Sequence, residues 1–168
     1  MTPQPLKDLL QTTHKEAYIW AKQCCRFNEE EAKDVLQVAY LKIMEGKARY
    51  DGRAAFKTWL FSIIRFTAID HFKNRKMYAP LEVVNQRAIA PDVNEDIDRF
   101  RLLLARLPDR QREVLVLAFY HDMTLAAIAD TLDLHIGTIR THYERGKATL
   151  RTYLVTNNDG KRKRHYSD

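Results

Sequence analysis

Thr138, Thr141, Arg145, Ala148 and Thr152 recur at intervals of three and four residues, the spacing that gathers side chains on one face of a helix. Arg140, His142 and Lys147 lie toward the flanks of that face. Small groups interspersed with cations let a helix approach base edges and phosphates without steric conflict, so the pattern suits a nucleic-acid groove. A second grouping lies upstream, where Phe61, Arg65, Phe66, Ile69 and Phe72 precede the basic Lys73, Arg75 and Lys76. Aromatic rings beside cations stack unpaired bases and neutralise their backbone. These residues fall away from the stripe Phe56, Trp59, Leu60, Ile63 and Thr67, which reads as the core side.

Both groupings need helices to hold them. On the side away from Thr141, Ile136, Ile139, Tyr143 and Leu150 form a narrow apolar stripe, as a helix packed on a core requires. Thr124 is placed to cap a preceding short helix lined by Leu125, Ile128, Ala129 and Leu132, and small Ala129 admits a close crossing. Only Asp133 and Leu134 separate that helix from the next, which begins near His135, so the two must cross steeply as a helix-turn-helix. Asp133 stands where such a turn needs a left-handed backbone, more easily adopted by glycine. A purely structural hairpin with a polar outer face is the plainer alternative.

Apolar residues recur at helical spacing in almost every window, and Gly and Pro number only 5 each, so the fold class is all-α. A first helix is expected over 6–25 and a second after Asn28, an N-cap followed by Glu29, Glu30 and Glu31 where the helix dipole favours negative charge. Residues 46–53 read as a loop. A third helix over 54–77 is apolar nearly all round from Phe56 to Ile69. Pro80 and Pro91 mark residues 79–94 as a linker. Helical pattern resumes from Glu95 to Leu107, stops at Pro108, and is followed by three more helices over 109–154. The last 14 residues, with KRKR at 161–164, read as a disordered basic tail.

The net charge of +6 and pI near 9.3 favour an anionic partner. Residues 1–80 carry 14 basic and 9 acidic side chains, 81–107 carry 4 and 5, and 108–168 carry 10 and 8, which gives two basic lobes around a slightly acidic bridge. Cys24 and Cys25 are adjacent, a poor disulfide geometry with no metal-ligand spacing, so a reducing interior is expected. With no apolar run near the roughly 18 residues a span needs and no leader pattern, the expectation is a cytoplasmic protein. The histidines form no zinc-spaced cluster, no Gly-rich phosphate loop is present, and no cofactor or small-molecule substrate is called for. His142 and Arg145 form an HxxR pair with Tyr166 downstream, as in tyrosine recombinases, but there is no room for a catalytic domain. Ser62 and Ser167 are the only serines, which disfavours a serine recombinase. No enzymatic activity is expected.

Three ordered blocks carry a specific resemblance. EAKDVLQVAYLKI (31–43), FKTWLFSIIRFTAIDHFKNR (56–75) and LPDRQREVLVLAFYHDMTLAAIADTLDLHIGTIRTHYERGKATL (107–150) resemble the extracytoplasmic-function group of bacterial sigma-70 family sigma factors. The resemblance implies two small helical domains, region 2 over 1–78 and region 4 over 95–155, joined by a flexible linker at 79–94 and followed by the tail at 156–168. It implies that Asp34 and Gln37 dock on the coiled coil of core RNA polymerase. The loop residues Arg49, Tyr50 and Arg53, with Phe61, Arg65, Phe66, Lys73, Arg75 and Lys76, would recognise and melt the promoter's minus-ten element. Thr138, Arg140, Thr141, His142 and Arg145 would read the minus-thirty-five element in the major groove. An anti-sigma factor, often anchored in the inner membrane, is the implied regulator. Three positions depart from the family's pattern: Phe66 for a frequent Asn, Ala126–Ala127 for a frequent acidic pair, and Val38 for a common Glu. The alternative from another class is a stand-alone helix-turn-helix regulator that binds its operator without polymerase.

Overall fold

A computed structural model describes residues 3–78 and 95–164, with side chains over 5–75 and 99–156. The linker at 79–94, the end of the tail at 165–168 and the Lys76 side chain lie outside the described residues. The elements are α1 (Pro3–Cys24), α2 (Glu29–Met44), α3 (Phe56–Tyr78), α4 (Glu95–Ala105), α5 (Asp109–Leu115), α6 (Leu125–Leu132) and α7 (Ile136–Arg164), with no strand among the described residues. They build two compact units, one holding α1 to α3 and the other α4, α5 and α7 together with α6 as far as Ala129.

In the first unit each helix packs on both others. Small residues permit the close approach: Ala17 and Ala21 of α1, Ala32 and Ala39 of α2 and Ala68 of α3 are all buried. Trp20 fills the centre. Its ring stacks on Phe61 at 5.5 Å and 7°, and its indole N–H donates to the Phe61 carbonyl at 3.0 Å, which gives a buried polar group its partner. Asn28 caps α2 by accepting from the Glu31 N–H at 3.1 Å. The α1–α2 turn is made by two successive left-handed residues that are not glycine, Arg26 (φ 53°) and Phe27 (φ 63°), and the Phe27 N–H donates to the Lys22 carbonyl at 2.7 Å. Ion pairs fasten α3 to its neighbours, Lys57 to Glu16 of α1 at 2.9 Å and Arg75 to Glu31 of α2. Cys25 is buried at the end of α1, and burial pushes its thiol up to about 12, which keeps it neutral and chemically quiet.

The second unit closes over Leu103, Leu107, Val114, Leu115, Leu117, Ile128, Ile139 and Leu150. After Leu115 the chain makes one π-helical turn, Val116–Tyr120, which periodicity alone does not foresee. The expected cap and turn are present: the Ala127 N–H donates to Thr124 Oγ1 at 3.1 Å, and Asp133 takes φ 54° between α6 and α7. His135 lies just outside α7 and caps it, with Nδ1 accepting from the Gly137 N–H at 3.0 Å.

Two boundaries need correction. The helix before Pro108 ends at Ala105 rather than Leu107. The tail expected to be disordered from about residue 155 is helical through Arg164. Nothing between Thr152 and Arg164 forces a stop: there is no proline, and a single glycine inside a helix costs only about 1 kcal/mol.

Candidate nucleic-acid interface

The face of α7 that reads as a groove surface stands free. Thr138, Arg140, Thr141, Arg145, Ala148 and Thr152 are all exposed, while Ile139, Gly146 and Leu150 are buried on the other side. Gly146 was not foreseen as a core position. A Cβ there would meet Leu115 Cδ1 at 3.0 Å and Gln111 Cβ at 3.4 Å, so its lack of a side chain lets α5 and α7 touch. His142 is the exception among the expected contacts. It is half-buried with Nδ1 inside the unit, because at 100° per residue it falls between the outer face and the Ile139–Gly146 stripe. Lys147 is likewise drawn in, 4.3 Å over the Tyr143 ring and 3.2 Å from Glu144.

The expectation for α3 is corrected more deeply. Phe61 is fully buried and Arg65 is 7% exposed, so neither offers a surface to a base. The two sides are mixed: Leu60 and Thr67 are buried as expected, but Trp59 and Ile63, read as core, are half-exposed, and Phe66, 47% exposed, shares their face with Asp70 and Lys73. Packing against both α1 and α2 explains this, since it buries an arc that takes in Leu60, Phe61, Ile64, Arg65 and Ala68. Arg75 is half-exposed, and its guanidinium is engaged by Glu31. Lys73 projects to solvent.

The loop before α3 is laid against that outward face. Gly46 (φ 74°) and Gly52 (φ 80°) supply its two left-handed turns. Between them Tyr50 is half-buried, its hydroxyl donating to the Ala54 carbonyl and its ring packing on Phe56 at 5.5 Å, edge-on, and on Trp59 at 5.2 Å. Arg49 and Arg53 are exposed; Arg49 Nε donates to the Gly46 carbonyl at 3.3 Å, and the Arg53 N–H donates to Asp51 Oδ1 at 3.0 Å. The loop therefore presents two cations on an aromatic footing of Tyr50, Phe56 and Trp59. Phe56 and Trp59 were missed because they sit among the apolar residues of a helix with no polar side to mark its orientation.

On α2, Asp34 and Gln37 are exposed, and so are Val38, Leu41 (51%) and Met44 (58%) on the same helical face. Leu41 and Met44 were not singled out, although their spacing from Asp34 and Gln37 places them there. Beside this ridge runs a hollow lined by His14, Tyr18, Leu36, Gln37, Tyr40, Leu41 and Met44. His14 Nδ1 and the Tyr40 hydroxyl are hydrogen-bonded at 2.9 Å, and burial pushes the phenol up to about 12. An apolar ridge with a polar rim fits a protein partner rather than a nucleic acid. Among the described residues no group of three or more His, Cys, Asp or Glu is placed to hold a metal, and no helix is long and apolar enough to cross a membrane.

Comparison with known proteins assigns the two units to a family. The family model for sigma-70 region 2 matches residues 9–77, which hold α1 to α3, and that for sigma-70 region 4 matches residues 97–150. The chain is 30% identical over 139 residues to the ECF RNA polymerase sigma factor SigK of Mycolicibacterium vanbaalenii, covering 76% of this chain and 69% of that protein. It is 25% identical over 146 residues to the ECF RNA polymerase sigma factor SigW of Bacillus subtilis, covering 76% and 77%. In fold it is similar to the sigma factor RpoE solved in complex with the anti-sigma factor NepR from Bartonella quintana, with a TM-score of 0.74 and 22% identity over 90% of this chain and 97% of that one. Two regions matched in order on one chain do not favour a stand-alone regulator. The chain belongs to the extracytoplasmic-function group of sigma-70 family RNA polymerase sigma factors.

Proposed function

We propose that three surfaces divide the work of promoter recognition. The α2 ridge of Asp34, Gln37, Val38, Leu41 and Met44 docks on core RNA polymerase. The 46–55 loop, with Arg49 and Arg53 on their aromatic footing, captures the minus-ten element, and Phe66 and Lys73 extend the surface along α3. The exposed face of α7, with Thr138, Arg140, Thr141 and Arg145, reads the minus-thirty-five element as duplex. Unstacking a base costs a few kcal/mol and is offset by contacts available only to the single strand. A loop with fixed turns beside exposed rings is suited to supplying them. Phe61 and Arg65 are omitted from this surface, Tyr50 acts from beneath it, and His142 supports α7 rather than touching bases.

The observation that carries the reading is the pairing of surface types. A small-residue face with free cations lies on a helix-turn-helix, and an apolar ridge lies on a separate unit of the same chain. The protein works in the cytoplasm, where core polymerase and promoter DNA are found. The α2 ridge is also the natural seat for an anti-sigma factor, since covering it would block polymerase docking, and a membrane-anchored regulator would hold the chain at the inner membrane.

The test is run-off transcription with purified core polymerase on promoters selected by the holoenzyme. Leu41→Glu with Met44→Glu should abolish co-purification with core while leaving the helical content intact. Arg145→Ala should reduce transcription about tenfold, as loss of a base contact worth about 1–3 kcal/mol implies. Tight, specific promoter binding by the isolated chain, with no transcription on adding core, would overturn the division.

A further inference from the structure

The α7 face contains one residue whose hydrogen-bonding state narrows what it can read. Thr141 lies diametrically opposite the buried Ile139–Gly146–Leu150 stripe, at the centre of the outward face. Its hydroxyl is not free: Oγ1 donates to the Gly137 carbonyl at 3.1 Å. A threonine bonded back to its own helix has no proton left for an acceptor on a base edge. Guanine and adenine N7, guanine O6 and thymine O4 therefore gain nothing from it. Its oxygen keeps lone pairs that can accept from the amino groups of adenine and cytosine. Toward guanine and thymine, which present no donor in the major groove, Thr141 offers only its methyl group, and the thymine C5-methyl is the one apolar feature there. Around it the face is low, with Thr138 and Ala148 small, so nothing prevents the close approach that methyl contact needs.

Resting on the reading of α7 as the minus-thirty-five helix, we infer that Thr141 is a specificity-determining residue that selects thymine through methyl contact, beside a guanine read by Arg145. Among the described residues Arg145 makes no ion pair, so its guanidinium is available for the two acceptors that guanine presents. Four residues of helix advance about 6 Å, and successive bases of a strand are about 3.4 Å apart. The thymine accordingly lies within about two base steps of the guanine.

The experiment separates methyl from hydroxyl. Holoenzymes carrying wild-type, Thr141→Val, Thr141→Ser or Arg145→Ala chains initiate from a promoter library randomised across the minus-thirty-five element. Wild type and Thr141→Val, which both carry the methyl, enrich thymine at one position, whereas Thr141→Ser does not. Replacing that thymine with deoxyuridine lowers initiation about fourfold for the first two, the effect of about one methyl-sized group returned to water, and leaves Thr141→Ser unchanged. Thymine enrichment that persists in Thr141→Ser, or equal use of deoxyuridine and thymine by wild type, overturns the inference. So does loss of enrichment in Thr141→Val, which would assign the reading to the hydroxyl. If Arg145→Ala leaves the whole minus-thirty-five preference intact, it is the placement of α7 in the groove that fails. If Arg145→Ala removes guanine enrichment while Thr141→Ser changes nothing, the Thr141 inference fails alone.

Discussion

Helices α3 and α7 carry the DNA-facing surfaces proposed for the two units, yet they were unequally readable. On α7 the buried residues keep to one stripe, Ile139, Gly146 and Leu150, and the opposite face from Thr138 to Thr152 is polar or small. On α3 the buried arc widens to include Thr58, Leu60, Phe61, Ile64, Arg65, Thr67 and Ala68, while Trp59, Ile63 and Phe66 remain on the outer side. The difference is one of neighbours. A helix gripped by two others buries much of its surface whatever its residues, and a helix whose outer face is itself apolar gives no contrast from which to orient it. An aromatic residue on such a helix is a core residue or a surface residue according to a rotation of about 100°.

That contrast is most sharply tested at two phenylalanines five residues apart. Phe61 stacks on Trp20 with no exposure, and Phe61→Ala should cost about 3–5 kcal/mol, enough to unfold the first unit in a urea titration followed by tryptophan fluorescence. Phe66 is nearly half-exposed, and Phe66→Ala should leave the midpoint within about 0.5 kcal/mol while reducing promoter opening. If the two variants melt alike, α3 is not turned with Phe61 inward and Phe66 outward.

The corresponding core test on α7 is smaller. Gly146→Val places branched carbon where Leu115 Cδ1 already stands 3.0 Å from an ideal Cβ, and Leu115 is itself buried. Overpacking of this kind costs about 1–3 kcal/mol. It should appear as a lowered melting temperature and weaker minus-thirty-five use, with binding to core polymerase retained. Unchanged stability would mean that α5 and α7 can separate at no cost and that Gly146 is incidental.

Local chemistry was more legible than orientation. Asn28, Thr124 and Asp133 are where short polar residues meet a helix start or a left-handed turn, and each does what its type dictates without reference to distant parts of the chain. The π turn at Val116–Tyr120 and the Arg26–Phe27 turn were not legible, because packing of neighbouring helices decides them, whereas the inward lean of His142 follows from its place on the flank of the helix. Tyr50 shows both sides. Its place in the loop was apparent from Gly46 and Gly52, but its role as the loop's anchor depends on Phe56 and Trp59, whose exposure could not be assigned before α3 was oriented.

The two caps provide the finest comparison between the units, because the same bond at the same length is made in both. Asn28 accepts from the amide three residues on at 3.1 Å, and Thr124 does likewise at 3.1 Å. Removing either side chain leaves a helix N–H without that acceptor, at about 1 kcal/mol. The consequence differs with the length and support of the helix. α2 has 16 residues and packs on both α1 and α3, so Asn28→Ala should fray only its first turn, visible as faster amide exchange at Glu31 with transcription unchanged. α6 has eight residues, and its end fixes the Asp133 turn into α7. Thr124→Ala should therefore quicken exchange throughout α6 and weaken minus-thirty-five recognition several-fold at the same loss of stability. Equal transcription from the two variants would show that α7 is held by α5 and α4 alone, and that the first helix of the helix-turn-helix contributes packing but not aim.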